Sequence, residues 1–201
     1  MTASDRPKIG AVMLAAGSSS RLGHPKQLVE FEGKALVRRS AEFLVASACS
    51  PVVVVLGAEI ANCRRELEGL AVSVCINNDW AIGISSSIKT GLRFLTEIAP
   101  DADAVLIALC DQPYVTDHDY DRLAAGFVER DSPIVASEYD GVIGVPAVFG
   151  RGLFDRLCEL EGDQGARHLI RQDPDGIARV DLKAARFDID TPDDLSIDSS
   201  K

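Results

Sequence analysis

From Val52 to Leu56 the chain offers no polar face: the run is wholly apolar and mostly β-branched. Such a strand is covered only where helices pack on both sides of its sheet, which points to a parallel α/β fold. Similar short runs recur at Ile9–Leu14, Val72–Ile76 and Ala104–Leu109. Helical stripes alternate with them: Val37, Ala41, Leu44 and Ala48, then Glu59 to Leu67, then Ile84, Ile88, Leu92 and Leu95. Tyr120, Leu123 and Phe127 form another stripe behind a cap at Thr116. The last third is less regular. A strand is expected over Ile134–Ala136, breaks around Gly141, Gly144 and Pro146, and helices over Leu153–Leu160 and Ala166–Arg171. Short strands are expected at Ile177–Val180 and Arg186–Ile189, then a helix start at Thr191-Pro192-Asp193-Asp194. The alternation predicts an α/β fold, a three-layer α/β/α sandwich with a mostly parallel sheet, as one domain over residues 1–195 with a frayed polar tail at 196–201.

The charge balance narrows the function classes. With 21 Lys and Arg against 31 Asp and Glu, the net charge is −10, the wrong sign for a sequence-independent nucleic-acid binder. An anionic substrate must instead meet a local cluster of cations. Cys49, Cys63, Cys75, Cys110 and Cys158 are odd in number and have no CxxC spacing, which argues for reduced, buried thiols rather than zinc or disulfides. No apolar run approaches membrane-spanning length, and no signal peptide is read at the N-terminus, so a cytoplasmic location is expected.

The first strand opens into Gly17-Ser18-Ser19-Ser20-Arg21-Leu22-Gly23-His24-Pro25-Lys26. Small residues let backbone N–H groups approach phosphate oxygens, while Arg21 can clamp a phosphate bidentately and Lys26 adds a point charge. The stretch therefore reads as a triphosphate cradle, with an ordinary polar connection as the alternative. It is neither of two familiar phosphate loops. A P-loop requires its second Gly where Leu22 stands, and a dinucleotide fingerprint requires Gly at Ser19 and an immediate helix, which Pro25 opposes.

Ligands of open parallel sheets bind at the carboxyl ends of the strands. Asp111 ends an otherwise apolar strand and must meet solvent, a cation or a metal. Asp190 follows the expected strand over Arg186–Ile189, with Asp188 two residues earlier on the same side. Two carboxylates facing a triphosphate suit magnesium, which takes few protein ligands and completes its shell with phosphate oxygens. Ser85 and Ser86 either cap the next helix or contact a base, and Trp80 either covers a ligand or packs. Gly162-Asp163-Gln164-Gly165-Ala166-Arg167 is either a loop with a solvated arginine or a second anion site. His24, His118 and His168 have no ligand spacing and receive no catalytic role.

Taken together, Leu14-Ala15-Ala16-Gly17…Arg21…Gly23…Lys26, Cys110-Asp111-Gln112-Pro113, Gly144-Val145-Pro146-Ala147-Val148-Phe149, Gly162 to Arg167, and Asp188-Ile189-Asp190-Thr191-Pro192 resemble the MobA-like nucleotidyltransferases, especially the molybdenum cofactor cytidylyltransferases. The resemblance implies a nucleotide-diphospho-sugar transferase-like fold and transfer of CMP from CTP to the terminal phosphate of molybdenum-molybdopterin. It implies that Leu14, Ala15, Ala16, Gly17, Arg21 and Lys26, with Ser85 and Ser86, bind the nucleotide. Asp111 and Asp190 would hold Mg2+, Gly165 and Arg167 would face the acceptor, and Arg21, Lys26 and Asp111 would carry catalysis. A molybdenum hydroxylase or its maturation factor is the implied protein partner. Two other readings stand beside it: transfer to a sugar phosphate or other small phosphate, and a non-catalytic protein that binds or delivers the cofactor.

Overall fold

The computed structural model describes residues 6–18, 25–130, 132–172 and 176–189. Strand β1 (Ile9–Ala15) is followed by a 3-10 turn at Lys26–Leu28, a small hairpin of β2 (Glu30–Phe31) and β3 (Lys34–Ala35), and helix α1 (Leu36–Ala46). Next come β4 (Val52–Leu56), α2 (Ile60–Glu66), β5 (Ser73–Ile76), α3 (Ile84–Ile98), β6 (Ala104–Leu109) and α4 (Asp117–Glu129). The chain continues through β7 (Ile134–Tyr139), β8 (Val142–Gly150), α5 (Phe154–Glu159), α6 (Arg167–Gln172) and β9 (Ala178–Asp181).

Seven strands form one sheet in the order β5-β4-β1-β6-β8-β7-β9. β8 alone runs antiparallel to its neighbours; the remaining pairings are parallel. Side-chain alternation along β1 divides the core into two layers. Ala11, Met13 and Ala15 pack with Val37 and Leu44 of α1, Cys63 of α2 and Leu123 of α4. Val12 and Leu14 pack with Ile88, Leu92 and Leu95 of α3 and with Phe154 and Leu157 of α5. The sheet is covered on both faces, as the run Val52–Leu56 requires, and each of those five residues is buried. At α4, the Asp119 carboxylate accepts hydrogen bonds from the Thr116 backbone N–H and hydroxyl, both at 3.1 Å, which closes the helix start.

Helix α3 lies very close to the sheet. A Cβ on Gly91 would stand 2.4 Å from Val12 Cγ1 and 2.7 Å from Val55 Cγ2, in the middle of the second core layer. Gly91→Val is therefore expected to destabilise the fold by about 1–3 kcal/mol through overpacking. For a chain of this size that lowers the melting temperature by roughly 3–10 °C. An unchanged melting curve would contradict the packing described.

Two stretches depart from the expectation. Gly141, Gly144 and Pro146 do not break the chain into separate pieces. Asp140 and Gly141, with φ of 47° and 75°, make a tight turn from β7 into β8, which runs on through Gly144 and Pro146. The register slips between Ala136 and Ser137, leaving Val145 and Pro146 outside the ladder, and a bulge is where a sheet admits proline. The second departure is Arg186–Ile189, which forms no strand. A 3-10 turn at Lys183–Arg186 redirects the chain toward the end of β6, and the Ile189 N–H donates to the Asp111 carbonyl at 3.0 Å. The helix start at Thr191–Asp194 and the tail at 196–201 lie outside the described residues.

Candidate active site

The sheet order reverses at β1, which has β4 on one side and β6 on the other. Chains leaving the carboxyl ends of β1 and β6 diverge there and leave a crevice. Leu14 pairs with Leu109 at the last rung, and the Cys110 N–H still reaches the Leu14 carbonyl at 3.3 Å. Beyond that rung opens a cleft of about 600 Å3. Leu14, Ala15, Ala16, Gly17, Lys26 and Asp111 all line it, so six of the expected site residues meet at one place.

Lys26 and Asp111 are ion-paired, with Nζ 2.9 Å from Oδ2. Their side chains keep only 15% and 18% of their exposure, so the pair is shielded from bulk water on most sides. The second carboxylate oxygen, Asp111 Oδ1, is buried without a hydrogen-bond partner. An orphaned buried acceptor costs about 1–3 kcal/mol, and a carboxylate more. The backbone around it is held tightly. Besides the bond from Ile189, Ser40 Oγ donates to the Cys110 carbonyl at 3.1 Å, and Gln112 Nε2 donates to the carbonyls of Val145 (3.2 Å) and Ala185 (2.9 Å). Burial, reinforced by the charge of Asp111, pushes the Cys110 thiol far above its ordinary range, so it stays protonated and is no nucleophile.

A residue that sequence reasoning missed sits beneath the turn after β1. Gln27 is 2% exposed, and its Nε2 donates to the carbonyls of Ala15 (3.0 Å) and Gly17 (2.5 Å). The carbonyl between them, Ala16, accepts from the Ala58 N–H at 2.9 Å. The only sequence signal was a polar residue placed between Lys26 and the apolar pair Leu28–Val29.

The facing wall comes from the segment before α3. Trp80, Gly83, Ile84 and Ser87 line the cleft; Ser85 and Ser86 do not. Ser85 is buried, with its N–H on the Gly162 carbonyl at 3.1 Å, and the Ser86 hydroxyl donates to the carbonyls of Gly83 (2.8 Å) and Asp79 (3.0 Å). Buried Asn77 donates to both Ser86 Oγ (2.8 Å) and Ser87 Oγ (2.9 Å), which sets the direction of the Ser87 hydroxyl. Gly83 has φ of 131°, and a Cβ there would lie 2.3 Å from the Gly162 carbonyl oxygen, so only glycine lets the two loops touch. That contact brings Asp163 to the cleft edge.

Gly165 and Arg167 are outside this cleft: a Cβ on Gly165 would meet Ile84 at 3.6 Å, and Arg167 Nε donates to the Ile143 carbonyl at 3.2 Å. Arg167 and exposed Asp188 lie within electrostatic reach of Tyr139, whose phenol is raised chiefly by burial. Arg21 and Asp190 lie outside the described residues.

The arrangement can hold a polyanion against a turn and a lysine, with a carboxylate beside it. No histidine is among the described residues lining the cleft. Nor, among the described residues, do three His, Cys, Asp or Glu side chains form a self-contained metal cage. Asp111 Oδ1 nevertheless fits a hard divalent cation, since it is an anionic oxygen oriented by its surroundings and left without a donor. No described helix is long and apolar enough to cross a membrane.

Residues 11–177 match the MobA-like NTP transferase domain. The chain is similar to a Paenarthrobacter nicotinovorans protein named nicotine blue oxidoreductase, 33% identical over 207 residues that cover 95% of this chain and 96% of that one. It is also similar to a probable molybdenum cofactor guanylyltransferase of Bacillus cereus, 28% identical over 144 residues, 72% of this chain and 64% of that protein. Among solved structures, a Mycobacterium sp. strain JC1 homologue of Mycobacterium tuberculosis Rv0371c superposes with a TM-score of 0.78 at 32% identity, covering 95% of this chain and 94% of that one.

Proposed function

We propose, from the premise that this chain belongs to the MobA-like NTP transferase family, that it transfers CMP from CTP to the terminal phosphate of molybdenum-molybdopterin and releases pyrophosphate. One observation carries the reading: the Lys26–Asp111 pair stands in the cleft formed by the turn after β1, with Asp111 Oδ1 buried and unpartnered. The similarity to a probable molybdenum cofactor guanylyltransferase supports the acceptor class.

In this reading the acceptor phosphate attacks the α-phosphorus; a P–O bond forms there as the bond to the β-phosphate breaks. A phosphate monoester with a second pKa of about 6 is mostly a dianion at neutral pH and requires no general base. That agrees with a cleft lined by no described histidine. The protein's task is alignment, which contributes on the order of 7–11 kcal/mol, and neutralisation of the charge gathering on pyrophosphate. Lys26 and Arg21 hold the triphosphate. Asp111 would hold magnesium, joined by Asp190, which follows the residue bonded to the Asp111 carbonyl. When bound, that ion neutralises phosphate oxygens and fixes their orientation. Gly165 and Arg167 would meet the acceptor at the neighbouring end of β8, where Arg167 already contacts Ile143.

CTP is assigned over GTP on Ala16. Its methyl fills the turn that lines the cleft, where a glycine would leave room for a purine. One methyl is worth about 1–3 kcal/mol of discrimination, so other base contacts share the task. Ala16→Gly is expected to relax the CTP:GTP ratio of kcat/KM without reversing it, measured with both nucleotides competing for one acceptor. A wild-type ratio favouring GTP would overturn the cytidylyl assignment and leave the chemistry standing. A second reading, hydride transfer, comes only from the name of the relative at 33% identity. Oxidation of NAD(P)H dependent on this protein would favour it.

A further inference from the structure

We infer that Gln27 is a positioning residue for the triphosphate, acting through the turn and not through contact with the reacting atoms. The inference rests on the nucleotide site proposed above and goes beyond it. The three carbonyls of the turn are all engaged away from the ligand: Ala15 and Gly17 by the two N–H groups of one Gln27 carboxamide, Ala16 by the Ala58 N–H. Among the described residues, the N–H groups of Gly17 and Ser18 donate to no partner, and both residues line the cleft. A turn with its acceptors tied down and its donors left free is an anion nest already in shape. Gln27 makes that division, because a single side chain bridges the Ala15–Ala16 and Gly17–Ser18 peptides.

The acceptor half of the same carboxamide shows that packing alone does not select this residue. Gln27 Oε1 is buried without a partner, an arrangement that costs stability and is retained here in a residue lining the same cleft as Asp111, whose Oδ1 is likewise orphaned. Interchanging the amide oxygen and nitrogen does not repair it, for the oxygen would then face two carbonyls. A fold seeking only packing at this site would do better with methionine or leucine. Gln27 also directly follows Lys26, so the bonds that shape the turn fix the root of the lysine side chain as well.

The test compares wild type with Gln27→Met, of similar length but without donors, and with Gln27→Glu, of the same shape with lone pairs in place of the donors. Calorimetric titration with inorganic tripolyphosphate plus magnesium, and separately with CTP plus magnesium, reads the site without any acceptor. Both variants are expected to keep a cooperative melt and to bind either ligand about 10- to 100-fold more weakly, the loss of a preset pair of donors. In turnover, KM for CTP should rise more than kcat falls. Equal affinities in wild type and Gln27→Met would overturn the inference. So would a loss confined to kcat with KM unmoved, which is the mark of a smaller folded fraction. If neither variant folds, Gln27 serves the fold and the inference is wrong. Wild type that binds neither ligand would instead defeat the nucleotide site itself.

Discussion

Asp111→Asn is expected to reduce nucleotidyl transfer at least about 100-fold, on the scale of losing one preorganised electrostatic partner at the reacting phosphate. The substitution keeps the shape of the side chain and removes the charge that a divalent cation requires. Its amide oxygen can still accept from Lys26, which now sits 2.9 Å away, while the amide nitrogen replaces one oxygen of the carboxylate that has no donor. The melting temperature should therefore hold or rise, and any fall should stay within about 4 °C, the equivalent of roughly 1 kcal/mol in a chain of this size. Activity recorded across a magnesium series gives the sharpest reading, because the variant should demand more of the ion. Full activity at limiting magnesium would remove Asp111 from the metal site.

Lys26→Ala should cost roughly 2–4 kcal/mol of transition-state stabilisation, a 30- to 1000-fold fall in kcat/KM. Arg21→Ala is expected to fall in the same range. Magnesium dependence separates the lysine from Asp111. In the unliganded protein Lys26 occupies one oxygen of Asp111, so its removal frees the carboxylate for the ion. Lys26→Ala should saturate at equal or lower magnesium than wild type, whereas Asp111→Asn should shift the other way. Parallel shifts, or turnover of Lys26→Ala within threefold of wild type, would mean that the lysine does not face the triphosphate.

The parts of the fold legible in the sequence were those with a strong local period. Val52–Leu56 could be satisfied only by a doubly covered sheet, and the stripe Ile84, Ile88, Leu92, Leu95 only by a helix lying on it. Asp111 stood out because an acid at the end of an apolar strand demands a partner, and the structure supplies Lys26. What escaped was set by tertiary contact. Pro146 signals a break unless its own strand bulges there, and the register slip opposite Ala136 and Ser137 depends on a pairing that no local pattern reveals. Arg186–Ile189 alternates like a strand, but Ile189 is drawn to the Asp111 carbonyl rather than to the edge of β9. The hairpin of β2 and β3 turns on Glu32 and Gly33, both at positive φ, and its two-residue strands are too short to show a period. Ser87 lines the cleft and Ser85 and Ser86 do not, a distinction of position around α3. Gln27 had no periodic signature at all; its importance lies in the two carbonyls it reaches.

Nucleotidyl transfer is tested most sharply by following the α-phosphate. The protein is incubated with magnesium, molybdenum-molybdopterin and each NTP labelled at that phosphate, and both pyrophosphate and the labelled acceptor product are counted. One pyrophosphate is expected per label transferred, with CTP preferred and no release when the acceptor is left out. A sugar phosphate that accepted the label in preference to the pterin would change the acceptor alone. Absence of both pyrophosphate and labelled product with every NTP and acceptor, from a folded protein that binds CTP, would contradict nucleotidyl transfer itself.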